Sequence, residues 1–89
     1  MVESKLRLIR LMTNKNVLDI LQRLQNGPAR FTDLAEACPS VRLRSLRLAD
    51  LTKNGLIQKK AIGVNENLQV VYQITEKGKK LAEEVKKLL

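Results

Sequence analysis

Glycines and prolines interrupt this chain at short intervals, and their positions constrain its fold more than any other feature of the sequence. Gly27-Pro28, Pro39, Gly55 and Gly63 all fall within the central part of the 89 residues. Glycine ends a helix because it adopts positive φ without a Cβ penalty, and proline disfavours helical geometry at the residue before it. The chain between these positions can form only short helices and strands, which at this length make one domain.

Two apolar segments precede the first of these interruptions. Residues 5–12 mix apolar and basic side chains without a clear phase, so a helical turn or two and a short strand both remain open there. The next segment predicts a helix from an N-cap at Asn14 to about Asn26, with Gly27 as its C-terminal stop. Its apolar residues form a single stripe at helical spacing: Val17, Leu18, Ile20, Leu21 and Leu24.

Two further helices are predicted in the middle of the chain. Arg30-Phe31 indicates a short extended piece, and Thr32 is the expected N-cap of a short helix from Asp33 to about Ala37. Ser40 then predicts the N-cap of a longer helix from Val41 to about Asn54.

The last third of the sequence predicts a β-hairpin and a terminal helix. Residues 56–62 and 68–74 are typical of two strands, and the cluster at 63–67 is typical of the turn between them. Thr75 is the expected N-cap of the last helix. The apolar stripe of that helix consists of Leu81, Ala82, Val85, Leu88 and Leu89.

The order of these elements predicts an α+β, mainly α fold, namely a winged helix-turn-helix with a β-hairpin wing and a C-terminal dimerisation helix. Residues 1–89 form a single domain with a core at 14–75, and the terminal segments 1–13 and 76–89 are expected to make dimer contacts. The last stripe runs to the terminus and offers more apolar surface than a small monomer can easily cover. The expected dimerisation residues are Leu6, Ile9, Leu11, Leu81, Val85, Leu88 and Leu89.

Composition excludes several classes of function. The chain has no histidine and one cysteine, so we expect no intramolecular disulfide and no metal site, and Cys38 is expected to be a small residue that fills the turn before Pro39. No acid–base pair or nucleophile–base pair is visible, which argues against an enzyme and against a cofactor. No apolar run approaches the ~20 residues of a membrane span and no signal peptide is visible, so the sequence favours a cytoplasmic protein without membrane contact. A small-molecule effector remains unknown.

The positive charge of the chain is concentrated in one segment. Residues 42–60 carry six Lys and Arg residues against one acid, Asp50, and so hold +5 of the formal net charge of +8. Because this segment also predicts a helix and the start of a strand, it indicates a folded docking surface for a polyanion.

The helical phase of this segment assigns roles to its side chains. Leu48 and Leu51 set the inward direction. Arg42 then faces outward and is expected to contact a base edge, while Arg47 on the adjoining flank is expected to contact a phosphate. Leu46 also faces outward, where it could touch a thymine methyl group.

The expected directions of Arg44, Lys59 and Lys60 limit their roles in binding. Arg44 shares the phase of the inward residues, so its stem is expected to pack while its charge reaches outward. Lys59 and Lys60 point to opposite faces of a strand, so only one of them is expected to matter for binding. The complete set of expected DNA contacts is Arg30, Ser40, Arg42, Arg44, Ser45, Leu46, Arg47, Lys53, Lys59, Lys60 and Asn65.

Two motifs identify a related family. Gly27-Pro28-Ala29-Arg30-Phe31 and Tyr72-x-Ile74-Thr75-x-x-Gly78 resemble the HxlR-type winged-helix transcriptional regulators, within the wider MarR/PadR/ArsR-like group. The resemblance covers roughly residues 14–82 and implies a homodimer on palindromic duplex DNA, with dimer contacts from the terminal helices. This chain departs from the family at Arg44, where an apolar residue is usual, and in a wing without a Pro-rich sequence. It also lacks the cysteine that some members have near the start of the first long helix, so the resemblance does not support thiol sensing.

The expected function is therefore a sequence-specific regulator of transcription, a repressor that binds double-stranded DNA as a homodimer. Two alternatives stay open on the sequence. One is a sequence-indifferent architectural or chromatin-type DNA-binding protein, and the other is a winged helix used for protein–protein interaction with an acidic partner.

Overall fold

The structure, a computed structural model, describes residues 2–63 and 67–88 and shows the predicted winged helix-turn-helix. Its elements in chain order are α1 (Val2–Met12), α2 (Val17–Gln25), a 3-10 helix (Thr32–Ala35), α3 (Val41–Lys53), β1 (Ile57–Ile62), β2 (Gln69–Ile74) and α4 (Glu76–Leu88). The α+β, mainly helical class is thus confirmed, with β1 and β2 as a two-stranded antiparallel wing.

The first segment, which the sequence left open between helix and strand, is the helix α1. Leu11 and Met12 at its end are buried in the core, whereas Leu6 is 50% exposed. The helix lies against both α2 and α4. Packing on two sides therefore selects the helix where local periodicity is ambiguous.

The second helix begins later than predicted, because Asn14 is not its N-cap. The carbonyl of Asn14 accepts a hydrogen bond from the backbone N–H of Val17 in the preceding turn (3.2 Å). Asn16 is the N-cap residue, with φ 70°, a left-handed conformation that Asn tolerates better than most residues. Its side-chain amide donates to the carbonyl of Ala37 (3.0 Å), which fastens the start of α2 to the segment after the 3-10 helix.

The predicted stripe of α2 forms the centre of the core, and its end agrees with the prediction. Val17, Ile20, Leu21 and Leu24 are buried and Leu18 is half-buried. Gly27 follows the helix with φ 136°, as a glycine stop requires.

The segment around Phe31 differs from the prediction. The extended residue is Ala29, which exchanges two backbone hydrogen bonds with Tyr72 (3.0 and 2.7 Å). The predicted short helix is a 3-10 helix that begins at Thr32, and Phe31 before it already has helical backbone (φ −53°). Thr32 therefore lies inside the helix and is not its N-cap, a position that typically has extended backbone. The carboxylate of Asp33 instead accepts from the backbone N–H of Arg30 (3.0 Å).

The predictions for α3 and the wing are largely confirmed. Ser40 is extended and its hydroxyl accepts from the backbone N–H of Leu43 (3.2 Å), while Gly55 ends the helix with φ 74°. The strands pair from Ile57 opposite Ile74 to Ile62 opposite Gln69. Each strand begins one residue later than the sequence suggested.

A close junction joins the end of α3 to the start of α4. The hydroxyl of Thr75 donates to the carbonyl of Gly55 (2.7 Å) and accepts from the backbone N–H of Gly78 (3.1 Å), which confirms Thr75 as the N-cap. Gly78 is buried, and a Cβ atom there would meet the carbonyl oxygen of Leu56. The glycine is thus required for close approach rather than for backbone conformation.

Leu11, Leu81 and Val85, all expected dimer contacts, lie in the core of the chain itself. Their side chains have little surface left for a second copy, because they are buried where α1, α2 and α4 pack against one another. Leu89 lies outside the described residues. Within the part of the chain that the structure describes, no helix is long and apolar enough to cross a membrane, and no group of His, Cys, Asp and Glu side chains could hold a metal ion.

Replacement of Gly78 by alanine tests the close junction. Alanine is the better helix former by about 1 kcal/mol, so propensity alone predicts stabilisation. We expect Gly78→Ala to lower the free energy of unfolding by about 2 kcal/mol, because the added methyl overlaps the Leu56 carbonyl. Urea denaturation measures this change, with the exposed Lys80→Ala on the same helix as the control. A stabilised G78A variant would contradict the account.

Candidate nucleic-acid interface

The outward face of α3 is a stripe of exposed side chains, here called the α3 stripe: Arg42, Leu46, Ala49 and Lys53. Their spacing of four, three and four residues places them on one side of the helix. Leu48 and Leu51 on the opposite side are buried in the core and fix the rotation of α3. Within the described ranges, neither Arg42 nor Lys53 takes part in an ion pair. Both cations are therefore free to meet an external anion.

Arg44 is not part of this stripe, and the prediction that its charge reaches outward was wrong. The residue is 4% exposed. Its Nε donates to the carbonyl of Cys38 (2.8 Å), and its two terminal nitrogens donate to the carbonyls of Phe31 (3.2 Å) and Pro39 (3.1 Å). The guanidinium also lies 4.6 Å from the centroid of the Phe31 ring. Arg44 therefore cannot contact DNA; it holds the turn that precedes α3.

Arg47 is half-buried and its guanidinium is partly committed to the protein. Its Nε donates to the carbonyl of Lys15 (3.0 Å) in the turn before α2. This bond uses one of the five N–H groups of the guanidinium and leaves the others for a phosphate. Arg47 thus keeps free N–H groups for the predicted phosphate contact, and the bond to Lys15 fixes the orientation of its guanidinium.

The two wing lysines lie on opposite faces of β1. Lys59 lines a groove of about 480 Å³ between α3 and the wing, whereas Lys60 points to the other face of the strand. Besides Lys59, the groove is lined by Phe31, Ser45, Leu48, Ala49, Thr52, Lys53 and Tyr72. The only two aromatic rings of the chain are therefore in this groove, beside two lysines and two hydroxyl groups. Of the two wing lysines, Lys59 is the one that lies beside the cations of α3.

Arg30 is held by its own neighbour. Its guanidinium forms two hydrogen bonds to the carboxylate of Asp33 (3.2 and 3.3 Å). This contact, together with the bond from the Arg30 backbone N–H, lowers the pKa of Asp33 below its usual value, and the same carboxylate raises the pKa of Arg30. Both side chains are well exposed, so the pair contributes little to stability. The positive charge of Arg30 is largely neutralised.

The remaining predicted contacts are placed as follows. Ser40 uses its hydroxyl as the N-cap of α3. Ser45 is exposed at the groove. Asn65 lies outside the described residues.

A second cleft, of about 510 Å³, has the opposite charge character. It lies between α2 and the 3-10 helix, and Asp19, Asp33 and Glu36 line it together with Arg23 and uncharged polar side chains. Among the described residues, neither α3 nor the wing contributes to its lining. The acidic side chains of this cleft thus lie on other elements than the α3 stripe and Lys59.

Two features were not predicted from the sequence: the carbonyl acceptors of Arg44, and the position of Phe31 and Tyr72 in the lining of one groove. A signal for the first was present, because an arginine with the phase of Leu48 must be buried and must then find acceptors nearby. The turn around Pro39 offers such acceptors, since its carbonyls lie outside regular helix and strand. The groove depends on tertiary packing and has no local signal.

Comparison with known proteins agrees with this geometry. The family model described as HxlR-like helix-turn-helix matches residues 11–89. None of the curated proteins matches the chain.

Solved structures of regulators share the fold. Diamide-treated YodB from B. subtilis is 26% identical, with a TM-score of 0.81, over 89% of this chain and 79% of that chain. A MarR-family regulator from Enterococcus faecalis V583 is 23% identical, with a TM-score of 0.79, over 90% of this chain and 74% of that chain. Bacillus subtilis PadR in complex with operator DNA is 19% identical, with a TM-score of 0.66, over 78% of this chain and 45% of that chain.

Removal of the Arg44 guanidinium tests its structural role. Arg44→Met keeps most of the stem but leaves three carbonyls around the turn without this donor. We expect the free energy of unfolding to fall by about 3 kcal/mol, because the turn loses three hydrogen bonds and the buried carbonyl of Cys38 loses its donor. The matched control is Arg42→Met at the exposed face of the same helix, with an expected change within about 0.5 kcal/mol. If urea denaturation gives equal effects for the two variants, Arg44 does not stabilise the turn before α3.

Proposed function

The chain belongs to the HxlR-like helix-turn-helix family of DNA-binding transcription regulators, and on that basis we propose that it is a sequence-specific repressor that binds duplex DNA as a homodimer. The observation that carries the proposal is the set of exposed cations on one side of the molecule: Arg42 and Lys53 at the two ends of the α3 stripe, and Lys59 on the wing beside it. Its cations are exposed, and within the described ranges they have no carboxylate partner. A surface of this kind is made for a partner with regularly spaced negative charges.

The dimensions of α3 match the major groove. A helix with its side chains is about 10–12 Å across, and the groove is ~12 Å wide. Arg42, at the exposed N-terminal end of the stripe, is proposed to read a base edge. Arg47 and Lys53 are proposed to hold phosphates on either side of it, and Lys59 is proposed to follow the backbone along the wing. The groove between α3 and the wing offers room for a sugar–phosphate strand.

The homodimer is supported by apolar side chains that the fold leaves uncovered near the chain termini. Leu6 on α1 is 50% exposed and Leu88 on α4 is 76% exposed, and the two helices lie against each other. Ile9 is half-buried on the same helix as Leu6. A second copy is proposed to cover this surface, here called the terminal patch (Leu6, Ile9 and Leu88). The two recognition helices of such a dimer would read a palindrome with half-sites ~34 Å apart.

The PadR structure offers an analogy for the mode of binding, since that protein is in complex with operator DNA and shares the fold. Repression is the simplest consequence of such binding, because a protein that occupies an operator excludes other proteins from the same DNA.

Selection of binding sites from a random duplex pool tests the proposed function. We expect a palindromic sequence to be enriched and to bind at least about 10³-fold more tightly than random duplex. Equal affinity for all sequences would favour a sequence-indifferent architectural protein instead. No binding to any duplex at ~50 mM salt would favour a protein–protein interaction module.

The two wing lysines form a matched pair for a mutational test. We expect Lys59→Ala to weaken DNA binding and to make the dependence of log K on log salt shallower by about 1.8, because each of the two protomers loses one phosphate contact worth about 0.9. Lys60→Ala, which removes the same charge from the other face of β1, is expected to leave that slope unchanged. The slopes come from fluorescence anisotropy at several salt concentrations, and a larger effect of Lys60→Ala would reverse the assignment of the wing face.

The terminal patch predicts the outcome of a charge substitution. We expect Leu88→Glu to shift the protein from dimer to monomer in analytical ultracentrifugation at tens of micromolar, because a carboxylate would be buried between the two copies. Leu68→Glu is the control, since Leu68 is also a highly exposed leucine but lies beside the wing. A wild-type monomer, or a dimer that persists in both variants, would contradict the proposed interface.

A further inference from the structure

The α3 stripe has charged ends and an apolar centre. Arg42 and Lys53 occupy the two ends, and between them lie Leu46 and Ala49. Leu46 is 52% exposed, although nothing in the local helix geometry requires an apolar residue at this outward position. Burial of the exposed half of this leucine side chain against a partner would lower the free energy, because apolar surface would be removed from water. The partner of the stripe therefore has to offer both negative charge and an apolar group between the charges.

Duplex DNA offers this combination in one place. Phosphates line the edges of the major groove, and its floor carries the C5-methyl groups of thymine, which are the apolar groups that an inserted helix meets. An acidic protein segment can also alternate carboxylates with apolar side chains. Duplex DNA is favoured here because the chain belongs to a family of DNA-binding regulators. Resting on the proposed DNA-binding function, we infer that Leu46, with Ala49 beside it, contacts thymine methyl groups and makes the recognised half-site depend on thymine.

The spacing along α3 limits where this thymine lies. Leu46 follows Arg42 by four residues, which is about 6 Å along a helix axis at 1.5 Å per residue. Base pairs follow one another at ~3.4 Å along the duplex. For a helix that lies along the groove, the thymine is thus within about two base pairs of the base that Arg42 contacts. Arginine most often pairs with guanine, so the half-site combines a guanine with a neighbouring thymine.

The helix that carries Leu46 is held firmly enough for this contact to be selective. Leu48 and Leu51 hold the opposite face of α3 in the core, and Arg44 holds its first turn. The side chain at position 46 is therefore presented by a rigid element, which favours discrimination of a single methyl group.

Replacement of thymine by deoxyuridine tests the inference, because it removes the C5-methyl and leaves Watson–Crick pairing intact. Starting from the duplex enriched by selection, each thymine of a half-site is replaced in turn. We expect one or two replacements to weaken wild-type binding about fourfold each, the effect of one buried methylene-sized group. The other replacements are expected to leave the affinity unchanged.

Two variants assign the methyl contact to its residue. In Leu46→Ala the same deoxyuridine replacements are expected to have no further effect, since the apolar partner is gone. In Ile62→Ala, which truncates an exposed apolar residue on the wing face away from α3, the fourfold sensitivity is expected to persist. Thermal unfolding shows whether both variants remain folded, and the measurement on the wild type stands without them.

The outcomes separate this inference from the function on which it rests. An enriched duplex that binds wild type equally well with thymine and with deoxyuridine would overturn the inference and leave the proposed function in place. Sensitivity that survives in Leu46→Ala would overturn it as well, because another residue would then contact the methyl group. Failure to enrich any duplex would overturn the proposed function itself.

Discussion

The hydrogen bonds of the Arg44 guanidinium are the interaction on which the proposed DNA-binding surface depends. The guanidinium donates to carbonyl oxygens of Phe31, Cys38 and Pro39, and so ties the start of the 3-10 helix, the turn after that helix and the first turn of α3 into one unit. Among the described residues no carboxylate forms an ion pair with it; carbonyl dipoles and the face of the Phe31 ring surround the charge. A buried cation is tolerated only when its donors are satisfied, and here the surrounding turn supplies the acceptors. The family resemblance leads one to expect an apolar residue at this position. This chain has the same fold, but a hydrogen-bonded arginine occupies the place of that apolar side chain.

The recognition helix is held at both ends and along one flank. Ser40 caps its first turn, and the carbonyl of Asn54 after its last turn accepts a hydrogen bond from Lys77 at the start of α4 (3.0 Å). Arg47 connects its flank to the turn before α2. A helix fixed at three places loses little conformational freedom on binding, which favours affinity and selectivity for the partner that fits it. The bond from Lys77 also connects the end of α3 to α4, whose exposed C-terminal end is part of the terminal patch.

The sequence could predict what depends on local signals, and its errors fall where tertiary contacts decide. The glycine stops at Gly27 and Gly55, the Ser40 cap and the inward direction of Leu48 were all readable from propensity and periodicity. The sequence predicts Asn14 as the N-cap of α2, because Asn14 and Asn16 are equally suitable N-cap residues. The bond from Asn16 to Ala37 selects Asn16, and it joins residues far apart in sequence. The orientation of Arg44 was wrong for the same reason, since its acceptors lie on a turn that forms only in the folded chain. Among the site residues, the outward phase of Arg42 and Leu46 follows from the helical pattern, whereas the choice between Lys59 and Lys60 required the position of the wing.

The central claim is that the α3 stripe and Lys59 together form the DNA-binding surface. Backbone amide NMR of the isotope-labelled protein, titrated with a duplex enriched by selection, tests this claim most directly. The account predicts the largest shift changes at Arg42, Leu46, Lys53 and Lys59, and little change at Gln22 and Glu36 in the acidic cleft. Shift changes concentrated at the cleft, with the recognition helix and wing unaffected by DNA, would contradict it.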